Sequence, residues 1–505
     1  MRRHRRAAVI VAAALFMGAC GTRVEERQAA PVQSVGSRPA VTEGPGPASA
    51  EIGAGTATSS IAPAAEPTGT AERPSSGGGT PAPPAGRPSG SVPGRSTVGN
   101  SSPGQPSAQH AVTPSPEGGE AADPRSAAFP DAPVGGSAGT AKSPVTIGTV
   151  LPRSGPIGQA AGPGLEALQV WSRMVNERGG VNGHQVNLIV GDDGGDPARH
   201  RSIVQEFVER RSVIAFVQNF ESLGGEGSVA YLTAKRIPVV GSIMGSQYFY
   251  EHPTYFPQGS SGDMFFKAYA ASIAQQAKAE GKQRIGILAC AEVADCKTGA
   301  DLTDKFAKEF GLQVSYRADA SLVAPDYTAQ CLNARNAGVE ILLPIFTPDG
   351  ASRIAASCVR QAYHPIYGLT TQTFGPLQVT DPNMQGSIIF SPVFTWVAEP
   401  ATPAVTEFNQ AMARYLPGTS IKGVHAVGWT SAKLFERGAA RLAEPPTAES
   451  LLQGLWAITD DDLGGLTQPL TFNPDRPAAQ VACWFTSTIK GNKLTAVGGG
   501  RRSCR

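Results

Sequence analysis

The chain has 505 residues, and its 43 Lys and Arg against 41 Asp and Glu leave a formal net charge of +2. That balance argues neither for nor against a nucleic-acid partner, but no Lys/Arg cluster builds a basic stripe, and no such partner is expected. The length allows two domains beyond an export or linker segment, and no later run of eighteen apolar residues offers a second membrane crossing.

The first segment reads as an export signal. MRRHRR is positively charged, Ala7 to Phe16 is an apolar run too short to span a bilayer, and Met17-Gly18-Ala19-Cys20 follows. A cysteine behind two small residues at that place resembles a bacterial lipobox, which implies lipidation at Cys20. An ordinary secretory cleavage site beside a cysteine is the alternative. Arg5-Arg6 hints at twin-arginine export, but the rest of that motif is missing.

From Gly21 to about Lys142 the chain is Pro, Gly, Ser, Ala and Thr, as in SSGGGTPAPPAGRPSGSVPGRS. It holds too few large apolar residues to offset the entropy of ordering, so a disordered linker is expected. A flexible chain of this length has an r.m.s. span of about 60 Å, enough to tether a domain away from a membrane.

Composition changes abruptly at Ser143-Pro144. The pattern predicts strand Val145–Val150 and a helix through Leu165, Leu168, Trp171 and Val175 that stops at Gly179-Gly180. Strand Val186–Val190, a helix opened by Asp196-Pro197, strand Val213–Val217, helix Gly225–Ala234 and strand Ile237–Val240 follow. After the non-periodic stretch Tyr248–Asp263 the alternation resumes: helix Phe265–Ala279, strand Ile285–Ala289, helix Leu302–Phe310, strand Leu312–Tyr316, helix Tyr327–Asn336 and strand Ile341–Phe346. The segment Pro403–Ile458 is mainly helical, with Phe408, Met412 and Tyr415 on one face. Short apolar strands joined by helices imply an α/β fold with buried parallel sheets, and two series imply two lobes.

Cys20 aside, six cysteines remain: Cys290, Cys296, Cys331, Cys358, Cys483 and Cys504. An even number fits an oxidising compartment and three disulfides, though fifteen connectivities are open. Proximity in sequence suggests Cys290–Cys296, the ends of a small loop, then Cys331–Cys358 and Cys483–Cys504. A metal reading would need tighter pairs with nearby histidines, and the seven histidines are scattered singly.

Pro152-Arg153-Ser154-Gly155-Pro156 and the run VNERGGVNGHQVNLIVGDDGGDP resemble the type I periplasmic binding proteins, specifically the leucine/isoleucine/valine-binding group serving ABC importers. Asn176, Gly179, Gly180, Gly183, Asp192, Asp193, Asp196 and Pro197 carry the match, joined by Asp326-Tyr327 and GVEILLPIFTPDGASRIAASCVRQA. These are scaffold positions. Gly179-Gly180 ends a helix where φ is positive, Asn182-Gly183 makes a tight reversal, and Asp196-Pro197 caps and starts a helix. A calcium loop at DDGGD lacks the EF-hand spacing and its final glutamate.

The resemblance covers about Pro144 to Pro477 and implies two Rossmann-like lobes joined by a multi-crossing hinge. The expected organisation is a signal peptide over 1–20, the linker over 21–142, a first lobe over 143–262, a second over 263–390, a helical return over 391–465, and a hinge return with a disulfide-linked tail over 466–505. It also implies a small-molecule solute captured between lobes, an ABC permease as partner, a monomer held outside the cell by its lipid, and neither catalysis, cofactor nor metal.

In open α/β sheets, ligands bind beyond the carboxyl ends of the strands, and the resemblance adds hinge closure of two such lobes. The loops so placed are Pro152–Ser154, Asn219–Ser222 and Ser242–Met244 in the first lobe, with Ala291–Val293, Phe346-Thr347 and Thr371-Gln372 in the second. The candidate ligand-binding residues are therefore Arg153, Ser154, Asn219, Phe220, Ser222, Ser242, Met244, Glu292, Thr347 and Gln372.

Departures from the amino-acid binders matter. Ala161 stands where an aromatic precedes Gly162, Cys290 to Cys296 replaces a tyrosine-glycine loop, and Thr371-Gln372 occupies the place of the acid that neutralises a ligand ammonium. Ser222 keeps the hydroxyl for a ligand carboxylate. A buried ammonium needs a partner charge, which leaves Glu221 or Glu292 as substitutes, or a solute without an ammonium. The solute class is thus a small polar molecule: an amino acid, an amide or a related compound.

Two other readings differ in class. An enzyme would use Gly162-Pro163-Gly164-Leu165-Glu166-Ala167 as a dinucleotide turn, but that run lies a dozen residues past its strand, and GxSxG, HExxH and P-loop motifs are missing. A ligand sensor or surface-interaction protein would use the same fold with no importer.

Overall fold

The computed structural model describes residues 142–505 except Met244 and Gly245. The signal segment, Cys20 and nearly all of the Pro/Gly-rich linker lie outside the described residues.

The first lobe begins with strand β1 (Val145–Leu151), then helix α1 (Gly155–Glu177), β2 (Val186–Asp192), α2 (Pro197–Arg210), β3 (Ala215–Asn219), the short α3 (Glu221–Gly224), α4 (Glu226–Ala234), β4 (Val239–Ser242) and β5 (Tyr255–Phe256). Its five strands pair in the order β2-β1-β3-β4-β5, every pair parallel. The second lobe holds α5 (Gly262–Ala279), β6 (Arg284–Cys290), α6 (Ala294–Glu309), β7 (Gln313–Ala320), α7 (Thr328–Asn336), β8 (Ile341–Ile345), α8 (Pro348–Val359), β9 (Ile366–Thr370), the short α9 (Leu377–Thr380) and β10 (Ile388–Ser391). Its parallel order β7-β6-β8-β9-β10 repeats that of the first.

The chain then returns to the first lobe as α10 (Pro403–Tyr415), α11 (Gly423–Gly438) and α12 (Ala448–Trp456). These cover one face of its sheet together with α1, around Leu168, Trp171, Phe408, Trp429, Phe435 and Leu455. The other face is closed by α2 and α4 over Phe207, Phe216, Val229 and Leu232. Last come β11 (Cys483–Lys490), β12 (Lys493–Ala496) and β13 (Ser503–Cys504), all antiparallel additions to the second sheet through β11.

The turn chemistry behaves as the residue types demand. Gly179 (φ 100°) and Gly180 (φ 85°) end α1 in the left-handed region, and a Cβ on Gly180 would lie 2.1 Å from the His184 carbonyl oxygen. Asn182 (φ 50°) and Gly183 (φ 84°) make the reversal between Val181 and His184. Asp196 accepts from the Arg199 N–H at 2.7 Å and Pro197 opens α2. Both neighbouring acids are also in use. Asp192 Oδ1 accepts from the N–H groups of Arg153 and Gly194, and the fully buried Asp193 and His200 meet at 2.8 Å.

Several boundaries shift from expectation. Helix α1 begins ten residues before Leu165, at Gly155, and carries Pro163 inside it. Helix α6 begins at Ala294, so the Cys290–Cys296 disulfide ties the end of β6 to the first turn of a helix rather than closing a free loop. Cys331–Cys358 joins α7 to α8, and Cys483–Cys504 joins β11 to β13.

Three chain crossings connect the lobes side by side. Ser260, on the first, accepts from the Cys483 N–H at 2.9 Å, and its hydroxyl lies 2.8 Å from the Cys483 carbonyl on the third. The Phe394 N–H on the second donates to the Leu466 carbonyl at 2.8 Å. These bonds hold the ends of the crossings together.

Candidate functional site

The carboxyl ends of the strands of both sheets face one another across a cleft. Two compartments occupy it. The inner one, about 100 Å³, is walled in the first lobe by Ile157, Ala160, Phe220, Leu223 and Ile243. Its second-lobe wall includes Phe265, Phe266, Tyr269, Leu322 and Phe346, with the Cys290–Cys296 disulfide beside them. Tyr269 presents only its ring, because its hydroxyl donates to the Gly368 carbonyl at 2.8 Å and desolvation pushes its pKa up.

Polar groups are few and come from strand ends and helix starts. Thr347 caps α8, its hydroxyl accepting from the Gly350 N–H. The buried hydroxyls of Thr370 and Thr373 lie 3.1 Å apart. Gln372 reaches across the cleft, donating to the Ile243 carbonyl at 3.0 Å. The lobes also touch where a Cβ on Gly423 would lie 2.6 Å from Cγ2 of Thr371. Asp295, in the first turn of α6, is the acidic residue on the inner wall.

The outer compartment is larger, about 660 Å³. It shares Ala160, Leu322, Thr347 and Gln372 with the inner one, so the two adjoin. A volume of this order lies within the usual range for small-molecule sites, roughly 300–1,000 Å³.

Of the ten residues expected from sequence, Phe220, Thr347 and Gln372 line the cleft. Asn219 is fully buried behind it, its Oδ1 accepting from the Val150 N–H at 2.9 Å and so fastening the ends of β3 and β1 together. Ser242 is buried on β4, where the Gln258 side chain bonds both its N–H and its carbonyl. Arg153 and Ser154 stand exposed before α1, with Ser154 at the N-cap. Ser222 lies within the short α3, and Met244 lies outside the described residues.

Neither glutamate expected to meet an ammonium lines the cleft. Glu221 is buried beneath it, accepting from the Tyr248 hydroxyl at 2.8 Å. Glu292 is turned to the loop after β7. Desolvation raises its pKa, but bonds from the Ser321 hydroxyl and the Leu322 N–H outweigh that and hold it below the usual carboxylate value. Ile157, Ala160, Leu223 and Asp295 are lining residues that loop reasoning passed over, because they sit on the first turns of helices, while Ile243 lies within the expected loop Ser242–Met244 without being one of its candidate side chains.

No curated protein is significantly similar to the sequence. A family model described as periplasmic binding protein matches residues 144–493. Among solved structures, a substrate-binding periplasmic protein from Ralstonia solanacearum is 18% identical with a TM-score of 0.60, covering 70% of this chain and 99% of that one. A possible leucine/isoleucine/valine-binding protein from Rhodopirellula baltica is 16% identical, TM-score 0.59, covering 71% and 97%. An ABC transporter solute binding protein from R. palustris in complex with benzoate is 13% identical, TM-score 0.57, covering 72% and 98%. At such identities the structures speak for the fold, and the family match spans most of the length. Paired parallel sheets of one strand order, a stitched three-crossing hinge and a cleft between strand ends fit that match: the chain belongs to the type I periplasmic binding protein family.

Proposed function

We propose that this protein captures a small solute between its lobes outside the cytoplasm and delivers it to an ABC importer, with no catalytic step. The observation that carries the reading is the cleft itself, built by the strand ends of both sheets and crossed by Gln372 to the Ile243 carbonyl. A solute with an apolar body fits the inner wall of Phe220, Ile243, Phe265 and Phe346, its polar end meeting Thr347 and Gln372 where the compartments join. Within the class of amino acids, amides and related compounds, this favours an amide or carboxylic acid. The benzoate held by the R. palustris protein has that shape, an apolar body with one polar end. An ammonium on the solute would instead face Asp295.

A thermal-shift screen of amino acids, amides, short peptides and aromatic acids tests the reading. A solute binding only the folded state adds roughly 2.7 kcal/mol at a hundredfold excess over Kd, which registers as a rise in Tm. No rise with any of them at millimolar concentration would remove the reading.

We further propose export by the N-terminal signal and anchoring through lipidated Cys20, with residues 21–142 as the tether and the chain acting as a monomer. Among the described residues no helix is long and apolar enough to cross a membrane. Cys20→Ser is expected to release the protein into the medium or leave it unprocessed. Unchanged retention in washed membranes would count against the anchor.

A further inference from the structure

The inner compartment holds only about 100 Å³, yet beside it lie about 660 Å³ of further space whose walls extend beyond the strand-end loops to α8, α9 and the start of α11. Two features of that outer compartment call for an explanation.

The first is apolar exposure. Val323 and Leu377 are 74% and 79% exposed, the large hydrophobic side chains left in solvent among the described residues, and both line this one compartment. They come from different segments, the loop after β7 and the start of α9. Scattered apolar side chains need no explanation, but convergence on one concave wall does.

The second is charge. Arg353 and Lys422 line the same compartment, one from each lobe, and neither makes an ion pair among the described residues. Arg353 donates one N–H to the Leu322 carbonyl, while its buried Nε has no hydrogen-bond partner there. Asp349 is the acid of this wall, so cations exceed anions by two to one. An anion therefore finds its favourable end outside, and the apolar inner wall takes the uncharged end.

We propose that both compartments form one site for an elongated amphiphilic carboxylate, its apolar body running inward past Ala160 and Leu322 and its carboxylate lying near Lys422 and Arg353. The proposal rests on the solute-binding reading and extends it, naming the class and orientation of the solute. Thr347 and Gln372, both of the second lobe, sit midway along this path, so a longer solute carries its charged end past the place where a short one sets its polar end.

Calorimetric titration of the full chain with butanoate, octanoate and dodecanoate, and with octanamide, tests it. Each buried methylene is expected to tighten binding about two- to fourfold until the compartment is filled. Lys422→Met should weaken octanoate about tenfold by removing a charge-assisted contact, and leave octanamide within about twofold. Val323→Ser with Leu377→Ser, both surface changes that spare the fold, should weaken butanoate, octanoate and dodecanoate alike, because these side chains flank the methylenes next to the carboxylate. Affinity independent of chain length, or equal losses for octanoate and octanamide in Lys422→Met, overturns the proposal. If these carboxylates fail but another solute raises Tm, this proposal falls and the solute-binding reading stands. If no solute of any kind raises Tm, both fall.

Discussion

Gly428→Val is expected to destabilise the protein by at least about 3 kcal/mol, because it drives a side chain into a backbone that has nowhere to go. Helices α1 and α11 cross with Gly428 against Gly164, where an added Cβ would lie 2.3 Å from the Gly164 carbonyl oxygen and 2.9 Å from its Cα. Relief requires parting the two helices, which would pull Trp171 and Phe435 out of their edge-to-face contact and open the first lobe's core. The same movement would displace Ile157 and Ala160 from the cleft wall. Gly227, exposed in the first turn of α4, makes the internal control, since the nearest atom to the Cβ it would gain is the Pro197 carbonyl oxygen at an ordinary 3.6 Å. Gly227→Ala is expected to stay within about 1 kcal/mol of the parent, on the stabilising side through helix propensity. Denaturant unfolding of both variants decides. A Gly428→Val change within about 1 kcal/mol of the parent would show the helix crossing to be looser than this.

Such a contact is invisible in sequence, where Gly428 reads only as a weak point in a helix. What was legible is the alternation of apolar strands and amphipathic helices, because buried parallel strands such as Val145–Leu151 and Ile341–Ile345 are nearly all apolar. Edges were less legible. Strand β7 alternates exposed Gln313, Ser315, Arg317 and Asp319 with half-covered Val314, Tyr316 and Ala318, so its second half looks like loop. Helix α6 opens on Asp295, Cys296, Lys297 and Thr298, which have no apolar periodicity, and its start is set by the disulfide and by packing of Gly299 against Phe266. Strand β3 begins at Ala215 rather than Val213, because the Val213 N–H is taken by the Phe207 carbonyl at the end of α2. The hairpin of β11 and β12 carries a turn at Gly491-Asn492 that local chemistry explains, with φ of 56° and 59°.

The site was legible as a place more than as a set of side chains. Strand ends pointed to Phe220, Thr347 and Gln372, which do meet in the cleft. Asn219 and Ser242 occupy equivalent strand ends, but their polar groups fasten neighbouring strands and a crossing segment. Which side of a strand end faces the cleft depends on twist and on backbone exceptions such as Gln218, held at φ 63° one residue before Asn219, and no periodicity encodes that. Asp295 and Ala160 belong to the wall because helices α6 and α1 aim their first turns at it.

Ala160 is where the cleft is most exposed to a single substitution, since it lines both compartments from the first turns of α1. Ala160→Trp projects an indole into the passage between them while asking little of the fold, because the position is half-buried, faces open space and lies in a helix that tolerates tryptophan. The inner compartment, about 100 Å³, cannot hold both the indole and a solute. Filling it also deprives the apolar body of the contacts that a concave site supplies, so the loss is steric and energetic together. The expected result is a fall in affinity of at least about 100-fold for whichever solute raises the parent's Tm, about 2.7 kcal/mol by the affinity scale. Denaturant midpoint and near-ultraviolet circular dichroism should stay near the parent's, which separates a blocked cleft from a damaged lobe. Should the variant bind its solute with unchanged Kd, the solute does not enter the inner compartment, because Ala160 stands on the wall that the two compartments share.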